Sequence, residues 1–139
     1  MDLYSRKIVG FQMGERMIKE LVIQALDRAY KQQRPERNLP HHSDRGSQYA
    51  SHEYQTRLAT YQMGASMSRK GDCYDNACIE SFHSVLKKEL IYLETFKTRE
   101  QARKKIFEYI TCFYNAERIH STIGYLTPNE CERLYRRTA

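Results

Sequence analysis

The spacing of apolar residues along this chain predicts where helices and strands form. Apolar side chains between Met17 and Ala29 recur at steps of three and four, which is typical of one face of an amphipathic helix over "GERMIKELVIQALDRAYKQQ". The segment from about Arg6 to Met13 alternates and is rich in strand-forming residues, so we expect a short strand there. Two more short strands are predicted over "LPHHS" and "ASMSRK".

Capping and turn residues bound the next helices. Ser51 can cap a helix over "HEYQTRLATYQM", and Gly64 is expected to end it. The residues of "GDCYDNA" favour a loop, because glycine, aspartate and asparagine are common in turns. After this loop, the apolar pattern predicts a helix from about Ala77 to Leu90.

Two capping boxes mark the C-terminal helices. Thr98 is followed three residues later by Gln101, and Thr127 in the same way by Glu130. Pro128 then occupies a first helical position, where proline is well tolerated. Strands alternate with helices up to the last helices, which begin at about residue 98. That order predicts an α/β fold in a single domain over residues 1–139.

Composition narrows the class of protein and its partners. With 139 residues the chain can bury one sizeable core. A net charge of +6 and a pI near 9.2 favour a polyanionic partner such as nucleic acid, although many basic proteins have none. No uncharged apolar run approaches the roughly 18 residues of a membrane span, so we expect no membrane partner. The four irregularly spaced cysteines favour free thiols in a reducing cytoplasm.

Two carboxylates are candidates for a metal site. Asp44, in "HHSDRGSQY", follows a predicted strand, and the carboxyl ends of strands often hold ligand chemistry in α/β sheets. Glu80 lies in the first turns of a predicted helix, with 35 residues between the two acids. Carboxylates of this kind suit Mg²⁺. The alternative is that "SDRG" is only a turn and that both acids are solvated.

The face of the helix around Glu80 fits a phosphate partner. Ser84 and Lys87 lie four and seven residues after Glu80, so all three share one side of the helix. A carboxylate that binds metal, followed by a lysine one to two turns later, suits a nucleic-acid backbone. The alternative is an ordinary solvated face on which Lys87 and Lys88 are surface charges.

Zinc is a further alternative, because the chain combines histidines with cysteines. The candidate ligands are His41, His42, His83, His120, Cys73, Cys78, Cys112 and Cys131. Four residues separate Cys73 from Cys78, and no second pair follows at the spacing of a zinc finger or ribbon. The spacing therefore argues against zinc.

Three long motifs carry a family resemblance. "HHSDRGSQYAS", "GDCYDNACIESFHSVLKKEL" and "YNAERIHSTIGYLTPNE" resemble, in this order, signatures of bacterial insertion-sequence transposases related to retroviral integrases. "MDLYSRKIVGF" is similar to the family segment between the first catalytic strand and the first helix. The resemblance covers essentially the whole chain. It implies a ribonuclease-H-like core, with a mixed sheet and flanking helices, in a bacterial cytoplasmic enzyme.

The resemblance also implies an activity and its partners. Such enzymes cleave DNA at transposon ends and transfer the freed strand, with two Mg²⁺ or Mn²⁺ ions held by an Asp-Asp-Glu triad. They act on transposon ends and target DNA, and the resemblance implies a homo-oligomer.

Roles carry over to residues that match the motifs. Asp44 matches the second acid of the triad and Glu80 matches the third, which makes them the candidate catalytic and metal-binding residues. Lys87 matches a lysine that contacts transposon-end DNA, and Arg45 and Lys70 are further candidate DNA contacts. "KGDCYDN" matches the loop beside the active site. The signature from residue 114 to 128 is interpreted as mainly structural.

The sequence departs from the family pattern at its N-terminus. The first acid of the triad is expected on a strand before "MDLYSRK", and Asp2 falls at a non-catalytic position of the family. We therefore expect a core that lacks its first two strands. We also expect that this chain alone has no cleavage activity. Two alternatives remain, namely a non-catalytic DNA-binding or oligomerisation module derived from a transposase, and a stand-alone metal nuclease.

Overall fold

The computed structural model describes residues 1–69 and 76–138, and the chain divides into two compact units. The α/β unit comprises Val9–Ala77, and the helical unit joins Met1–Ile8 to Cys78–Ala139. Lys70 and most of the predicted "GDCYDNA" loop lie outside the described residues. The prediction of a single domain over the whole chain stays a prediction.

The α/β unit combines three helices with a small parallel sheet. Its elements in chain order are α1 (Lys19–Gln33), β1 (Pro40–Ser43), α2 (Ser47–Ala50), α3 (His52–Thr60) and β2 (Gly64–Met67). The strands β1 and β2 pair in parallel, with Pro40 opposite Gly64 and Ser43 opposite Met67. The sheet therefore ends at one edge with the carboxyl ends of both strands. The predicted first helix and these two predicted strands are confirmed.

Apolar residues of α1 and α3 form the core of the α/β unit. Val22 and Leu26 are buried one helical turn apart on α1, and they cluster with Tyr54 and Leu58 of α3. Burial of each of these side chains contributes about 1.5–3 kcal/mol. The three- and four-residue spacing that predicted α1 is thus the spacing of its buried face.

The prediction that Gly64 ends a helix is wrong. α3 begins as expected, because the Ser51 hydroxyl accepts a hydrogen bond from the Tyr54 N–H at 3.3 Å. It ends at Thr60, and Gln62 takes the left-handed conformation that glycine was expected to supply, with φ of 54°. Gly64 instead begins β2.

The predicted strand from Arg6 to Met13 is also wrong. A strand needs a neighbouring strand for its backbone hydrogen bonds, and within the described residues only β1 and β2 pair in a sheet. At Ile8 a side chain takes that place. The Asn115 amide accepts from the Ile8 N–H and donates to the Ile8 carbonyl, both at 3.0 Å.

Gly10, two residues after Ile8, lies in the α/β unit in close contact with α1. A Cβ at Gly10 would lie 2.6 Å from the Ala29 nitrogen and 2.7 Å from the Ala25 carbonyl oxygen. Both atoms belong to the helix backbone and cannot move aside easily. Glycine therefore lets this segment approach the helix where any larger residue would clash.

The helical unit contains the rest of the secondary structure. α4 (Ala77–Leu86) continues into a wide π-helical turn (Lys87–Ile91), and α5 (Arg99–Glu108) into a second one (Tyr109–Tyr114). A short 3₁₀ turn (Ser121–Ile123) precedes α6 (Pro128–Thr138). In the first wide turn, the Tyr92 N–H donates to the Lys87 carbonyl, five residues earlier, at 2.8 Å. The predicted C-terminal helices are confirmed.

Aromatic residues dominate the core of the helical unit. Phe82 of α4 meets Tyr114 edge to face, with ring centroids 4.9 Å apart. Leu90, Tyr109 and Ile110 of the same unit are also buried. The apolar side of α4 and the second wide turn therefore pack against each other.

The capping box predicted at Thr127 forms in full and the one predicted at Thr98 forms in part, because the Gln101 side chain accepts from the Lys97 N–H at 2.8 Å. The Thr98 hydroxyl accepts from the Gln101 N–H at 3.1 Å. At α6, the Glu130 N–H donates to the Thr127 hydroxyl at 3.2 Å, and the Glu130 carboxylate accepts from the Thr127 N–H at 2.9 Å. The Thr127 N–H and the Thr127 hydroxyl both donate to the Glu130 carboxylate and lower the pKa of Glu130, the N–H most.

Thr127→Ala is expected to lower the free energy of unfolding by about 1 kcal/mol. Alanine removes the hydroxyl that accepts from Glu130 and leaves a free N–H at the start of α6. Urea unfolding followed by circular dichroism measures the change. Thr127→Ser keeps the hydroxyl and serves as the control. An equal loss in both variants would contradict the capping explanation.

Candidate metal centre

Asp44 lies directly after β1, at the edge of the sheet where both parallel strands end. Its side chain is exposed, and its Oδ1 accepts the Gly46 N–H at 2.7 Å. This is the turn that the sequence suggested, because aspartate commonly accepts from the backbone two residues later. Oδ2 accepts no hydrogen bond from residues 1–69 or 76–138. Asp44 therefore closes a turn and still presents an oxygen to solvent.

Gly46 leaves space for the Asp44 carboxylate. A Cβ at residue 46 would lie 2.9 Å from Asp44 Oδ1 and 3.0 Å from Gln48 Oε1. The Gly46 φ of −54° is open to any residue, so the constraint is space and not backbone conformation. The absence of a side chain at Gly46 therefore leaves room for the Asp44 carboxylate.

Gly46→Ala is expected to weaken Mn²⁺ binding about tenfold, the usual scale for a disturbed ligand environment. The added methyl group displaces the Asp44 carboxylate from its bond to the backbone. Isothermal titration calorimetry measures the affinity. Gly64→Ala is a matched control, since its Cβ would meet atoms only at 4.0 Å. Unchanged binding in Gly46→Ala would show that this spacing does not matter.

Arg45 is tied to the neighbouring strand. Its Nε donates to the Ser68 carbonyl at 2.9 Å, directly after β2. The Ser68 N–H in turn donates to the Ser43 carbonyl at 2.9 Å. The side chain of Arg45, a candidate DNA contact, is therefore exposed, and its Nε is held in place by the bond to Ser68. Lys70, another candidate DNA contact, lies outside the described residues.

The two histidines before Asp44 point to opposite sides of β1, as alternation along a strand requires. His41 is half-buried and its Nε2 lies 3.0 Å from the Tyr54 hydroxyl. Burial lowers the pKa of His41 and raises that of Tyr54. His42 is exposed and its ring nitrogens lie 3.0 Å from Ser66 Oγ and 3.2 Å from Ser68 Oγ.

Glu80 lies in the first turn of α4 and belongs to the helical unit, whereas Asp44 belongs to the α/β unit. Glu80, Ser84 and Lys87 are all exposed, as their shared helix face predicts. His83 lies among these charges. Its pKa is lowered by burial and then by Lys87, while Glu80 raises it. The face therefore combines a carboxylate and a cation in solvent.

The donor chemistry fits a hard divalent ion better than zinc. Asp44 and Glu80 supply exposed carboxylate oxygens, and Mg²⁺ is commonly bound by one or two carboxylates with water in its remaining positions. Within the described ranges, His, Cys, Asp and Glu side chains form no cluster of three or more that could hold a metal. Cys73 lies outside those ranges.

Asp2 has a structural role in its own turn. Its carboxylate accepts the Ser5 N–H at 3.0 Å, and it also bonds the Ser5 hydroxyl. Ser5 is fully buried. These contacts give a physical reason for leaving Asp2 outside the candidate triad.

The C-terminal signature supplies contacts within the helical unit. Arg118 binds Glu89 through Nε and Nη2 at 2.9–3.0 Å, and the Tyr109 hydroxyl donates to Glu89 at 2.6 Å. Desolvation would raise the pKa of Glu89, but the bonds from Arg118 and Tyr109 outweigh it and lower that pKa. Asn115 binds Ile8 as described above. These contacts agree with the interpretation of the signature as mainly structural.

Two buried polar residues, Ser68 and Asn115, were not predicted from the sequence to have a role. Ser68 and Asn115 are buried, with 4% and 6% of their surface exposed, and each bonds residues far away in the sequence. Apolar periodicity carries no information about such polar contacts. The only signal was that both lie in or beside segments that resembled family motifs.

Models of protein families match both halves of the chain. Residues 1–73 match a family described as integrase core domain, and residues 80–135 match a second model with the same description. The chain belongs to the integrase core family of insertion-sequence transposases. The resemblance stated from the motifs is thereby confirmed.

Several bacterial relatives of this integrase core share nearly half of its residues. The insertion element IS600 31 kDa protein of Shigella sonnei is 46% identical over 138 residues, which cover 99% of this chain and 51% of that protein. The transposase InsF for IS3A of Escherichia coli K12 is 46% identical over 94% of this chain and 46% of its own length. The IS904 transposase of Lactococcus lactis is 45% identical over 95% and 52%.

The integrase core also matches a solved structure in fold. The match is a chain in the cryo-EM structure of the simian T-cell lymphotropic virus intasome in complex with PP2A regulatory subunit B56 gamma. The TM-score is 0.63 at 16% identity, over 85% of this chain and 41% of that one. The ribonuclease-H-like fold class is confirmed. The chain spans about half the length of the curated relatives it matches.

One finding concerns membranes. Among the helices of the described residues, none combines the length and the apolar character that a membrane crossing requires.

Proposed function

We propose that this chain is part of a transposase catalytic core, in which Asp44 and Glu80 are two of three metal-binding acids. The single observation that carries the proposal is the family match together with Asp44 at the carboxyl edge of the sheet. Glu80 on an exposed face with Lys87 supports it. The reaction is cleavage of DNA at transposon ends, followed by transfer of the freed strand.

Both steps are phosphodiester exchanges without a covalent protein intermediate. Water attacks the phosphodiester at the transposon end and frees a 3′-hydroxyl, which then attacks a phosphodiester of the target DNA. Two Mg²⁺ or Mn²⁺ ions, when bound, supply activation of the attacking oxygen and charge stabilisation at the leaving oxygen.

Residues of the protein orient the metal-binding carboxylate and bind the DNA. The Gly46 N–H orients the Asp44 carboxylate, and the exposed Lys87 amine and Arg45 guanidinium group attract the DNA phosphates, with Lys70 as a third candidate contact. Arg45 is best defined among them, because its Nε already holds the Ser68 carbonyl.

These 139 residues alone are proposed to lack cleavage activity. Asp2 is engaged with Ser5, so no residue before Asp44 is assigned as the first acid of the triad. Without a third acid, Asp44 and Glu80 would hold the ions less tightly, because fewer carboxylate oxygens would be available to them. The proposed partners are transposon-end and target DNA and further copies of the protein, and the proposed location is the bacterial cytoplasm.

A hybrid transposase tests the function. These residues replace the matched stretch of the Escherichia coli IS3 transposase, to which 131 of them align. We expect the hybrid to transpose a marked element in a mating-out assay, because the rest of that protein completes the core. The control is the same IS3 protein without any replacement of the stretch. A soluble hybrid with no transposition above background would contradict the proposal.

A non-catalytic DNA-binding module is the second candidate, and the basic charge of the chain favours it. Arg103, Lys104 and Lys105 form an exposed basic run on α5. Gel shifts of the hybrid with transposon-end DNA of the IS3 element distinguish the candidates. Binding that needs no divalent ion, in a hybrid that never transposes, would favour the module. In either case binding should fall as salt rises.

A further inference from the structure

Ser68 holds both sequence neighbours of Asp44. Before the acid, the Ser43 carbonyl accepts from the Ser68 N–H at 2.9 Å and from the Ser68 hydroxyl at 3.3 Å. After the acid, Arg45 Nε donates to the Ser68 carbonyl at 2.9 Å. Asp44 itself is exposed, so packing does not fix it. Its backbone is held through the residues on either side.

The donors and acceptors around the Ser68 hydroxyl can be assigned. The Ser43 carbonyl only accepts, so it takes the single hydroxyl proton. The Asn76 Nδ2 only donates, at 2.7 Å, and it uses one lone pair of the hydroxyl. The other lone pair then accepts from His42 Nε2 at 3.2 Å, which leaves His42 Nδ1 to accept from Ser66.

Every hydrogen-bonding position of this hydroxyl is thus used. Ser68 is 4% exposed, and a satisfied polar network of this kind is rigid because each bond restricts the others. The same network includes Asn76, the residue directly before α4. A single buried hydroxyl therefore links the end of β1 to the residue that precedes the helix carrying Glu80.

We propose that Ser68 is a positioning residue for the metal-binding carboxylate of Asp44. The inference rests on the proposed function, since it assigns the metal to Asp44. Ser68 does not touch the metal. Its backbone N–H and carbonyl bind Ser43 and Arg45, and its hydroxyl fixes that backbone through its own bonds to Ser43, His42 and Asn76. The carboxylate between Ser43 and Arg45 is thereby presented in one orientation. Partners that orient ligands typically change metal affinity 10- to 100-fold when removed.

The first measurement is Mn²⁺ binding to the hybrid transposase described above, followed by the electron paramagnetic resonance signal of free Mn²⁺. Ser68→Ala is expected to raise the dissociation constant about tenfold. Ser68→Thr keeps the hydroxyl and should restore wild-type binding. Ser66→Ala is the matched control, because it removes an exposed hydroxyl from the other nitrogen of His42.

The second measurement is hydrogen exchange by mass spectrometry on the same proteins. Ser68→Ala should speed exchange at residues 43–46, where the Gly46 N–H reports on its bond to the Asp44 carboxylate. The helices α1 and α3 should keep their protection. Faster exchange throughout the α/β unit would mean general destabilisation and would overturn a positioning role.

A third variant separates this inference from the proposed function. If Asp44→Asn leaves Mn²⁺ binding unchanged, the proposed function fails, while exchange at residues 43–46 still decides whether Ser68 orders the acid. If Asp44→Asn weakens binding and Ser68→Ala does not, the positioning role alone is overturned. If Ser68→Thr shows the slow exchange of the unchanged protein at residues 43–46 and still fails to restore binding, the positioning role is also overturned, since an ordered acid would then not be enough.

Discussion

We expect Asp44→Asn and Glu80→Gln each to reduce transposition by the hybrid transposase on the order of 1000-fold. Each change replaces a charged oxygen ligand by a neutral amide of nearly the same size. Asparagine at residue 44 can still accept the Gly46 N–H, so the turn after β1 is preserved. The loss therefore reports on metal binding and not on folding. Mating-out frequency measures it.

The controls for this prediction come from the same chain. Glu117→Gln makes the same chemical change as Glu80→Gln at an exposed position of the helical unit. It should leave transposition unchanged, and circular dichroism should show the same folded content in all variants. Transposition by Asp44→Asn at the level of Glu117→Gln would remove Asp44 from the metal site. Lys87→Ala should mainly weaken DNA binding and reduce its salt dependence.

The second large effect is expected from Asn115→Ala, which should lower the free energy of unfolding by about 3 kcal/mol. Asn115 is 6% exposed and makes two 3.0 Å bonds to the Ile8 backbone. Alanine leaves the N–H and the carbonyl of Ile8 without these partners in a buried environment, and it also opens a small cavity. Urea unfolding followed by circular dichroism measures the loss.

Two further variants make the Asn115 prediction specific. Asn115→Asp can accept from the Ile8 N–H but cannot donate to the Ile8 carbonyl, and it buries a carboxylate. It should therefore fail to rescue stability. Asn129→Ala deletes the same amide from a half-exposed position on α6 and should change stability little. A small effect of Asn115→Ala, similar to that of Asn129→Ala, would show that the Ile8 contacts contribute little.

Local signals in the sequence predicted much of the fold. The face of α1, the Ser51 cap and the boxes at Thr98 and Thr127 each depend on residues within one or two turns. Such patterns can be recognised without knowing what else the chain contacts. The three motifs likewise gave the family, because their order and spacing are properties of the sequence alone.

Features that depend on distant partners were not predicted. The alternation from Arg6 to Met13 indicated a strand, but strand formation requires a neighbour, and the Asn115 side chain binds Ile8 instead. Gly64 suited a helix end, yet Gln62 accepted the left-handed conformation. Ser68 was read only as part of a strand, because nothing in its neighbours shows that Asn76 and His42 bind its hydroxyl.

For the candidate site, the sequence predicted the local structure around Asp44 but left the role of this acid open. The sequence offered two interpretations of "SDRG", a turn or a metal-binding acid. In the structure Asp44 forms the turn through one oxygen and exposes the other, so the two interpretations are compatible. The roles of Asp44, Glu80 and Lys87 remain predictions that the variants above test, and the role of Arg45 remains a prediction as well.

The wide turn at Lys87–Ile91 has a consequence for how chain length can vary in this helix. Such a turn accommodates one more residue than a regular helix, so a one-residue deletion within Lys88–Ile91 should convert it to a standard α-turn. Glu80 and Lys87 both precede the deletion and would keep their common face, offset by about 20°. Only residues from Tyr92 onward would shift by one position. Related chains can therefore differ in length here and keep the spacing of the acid and the lysine.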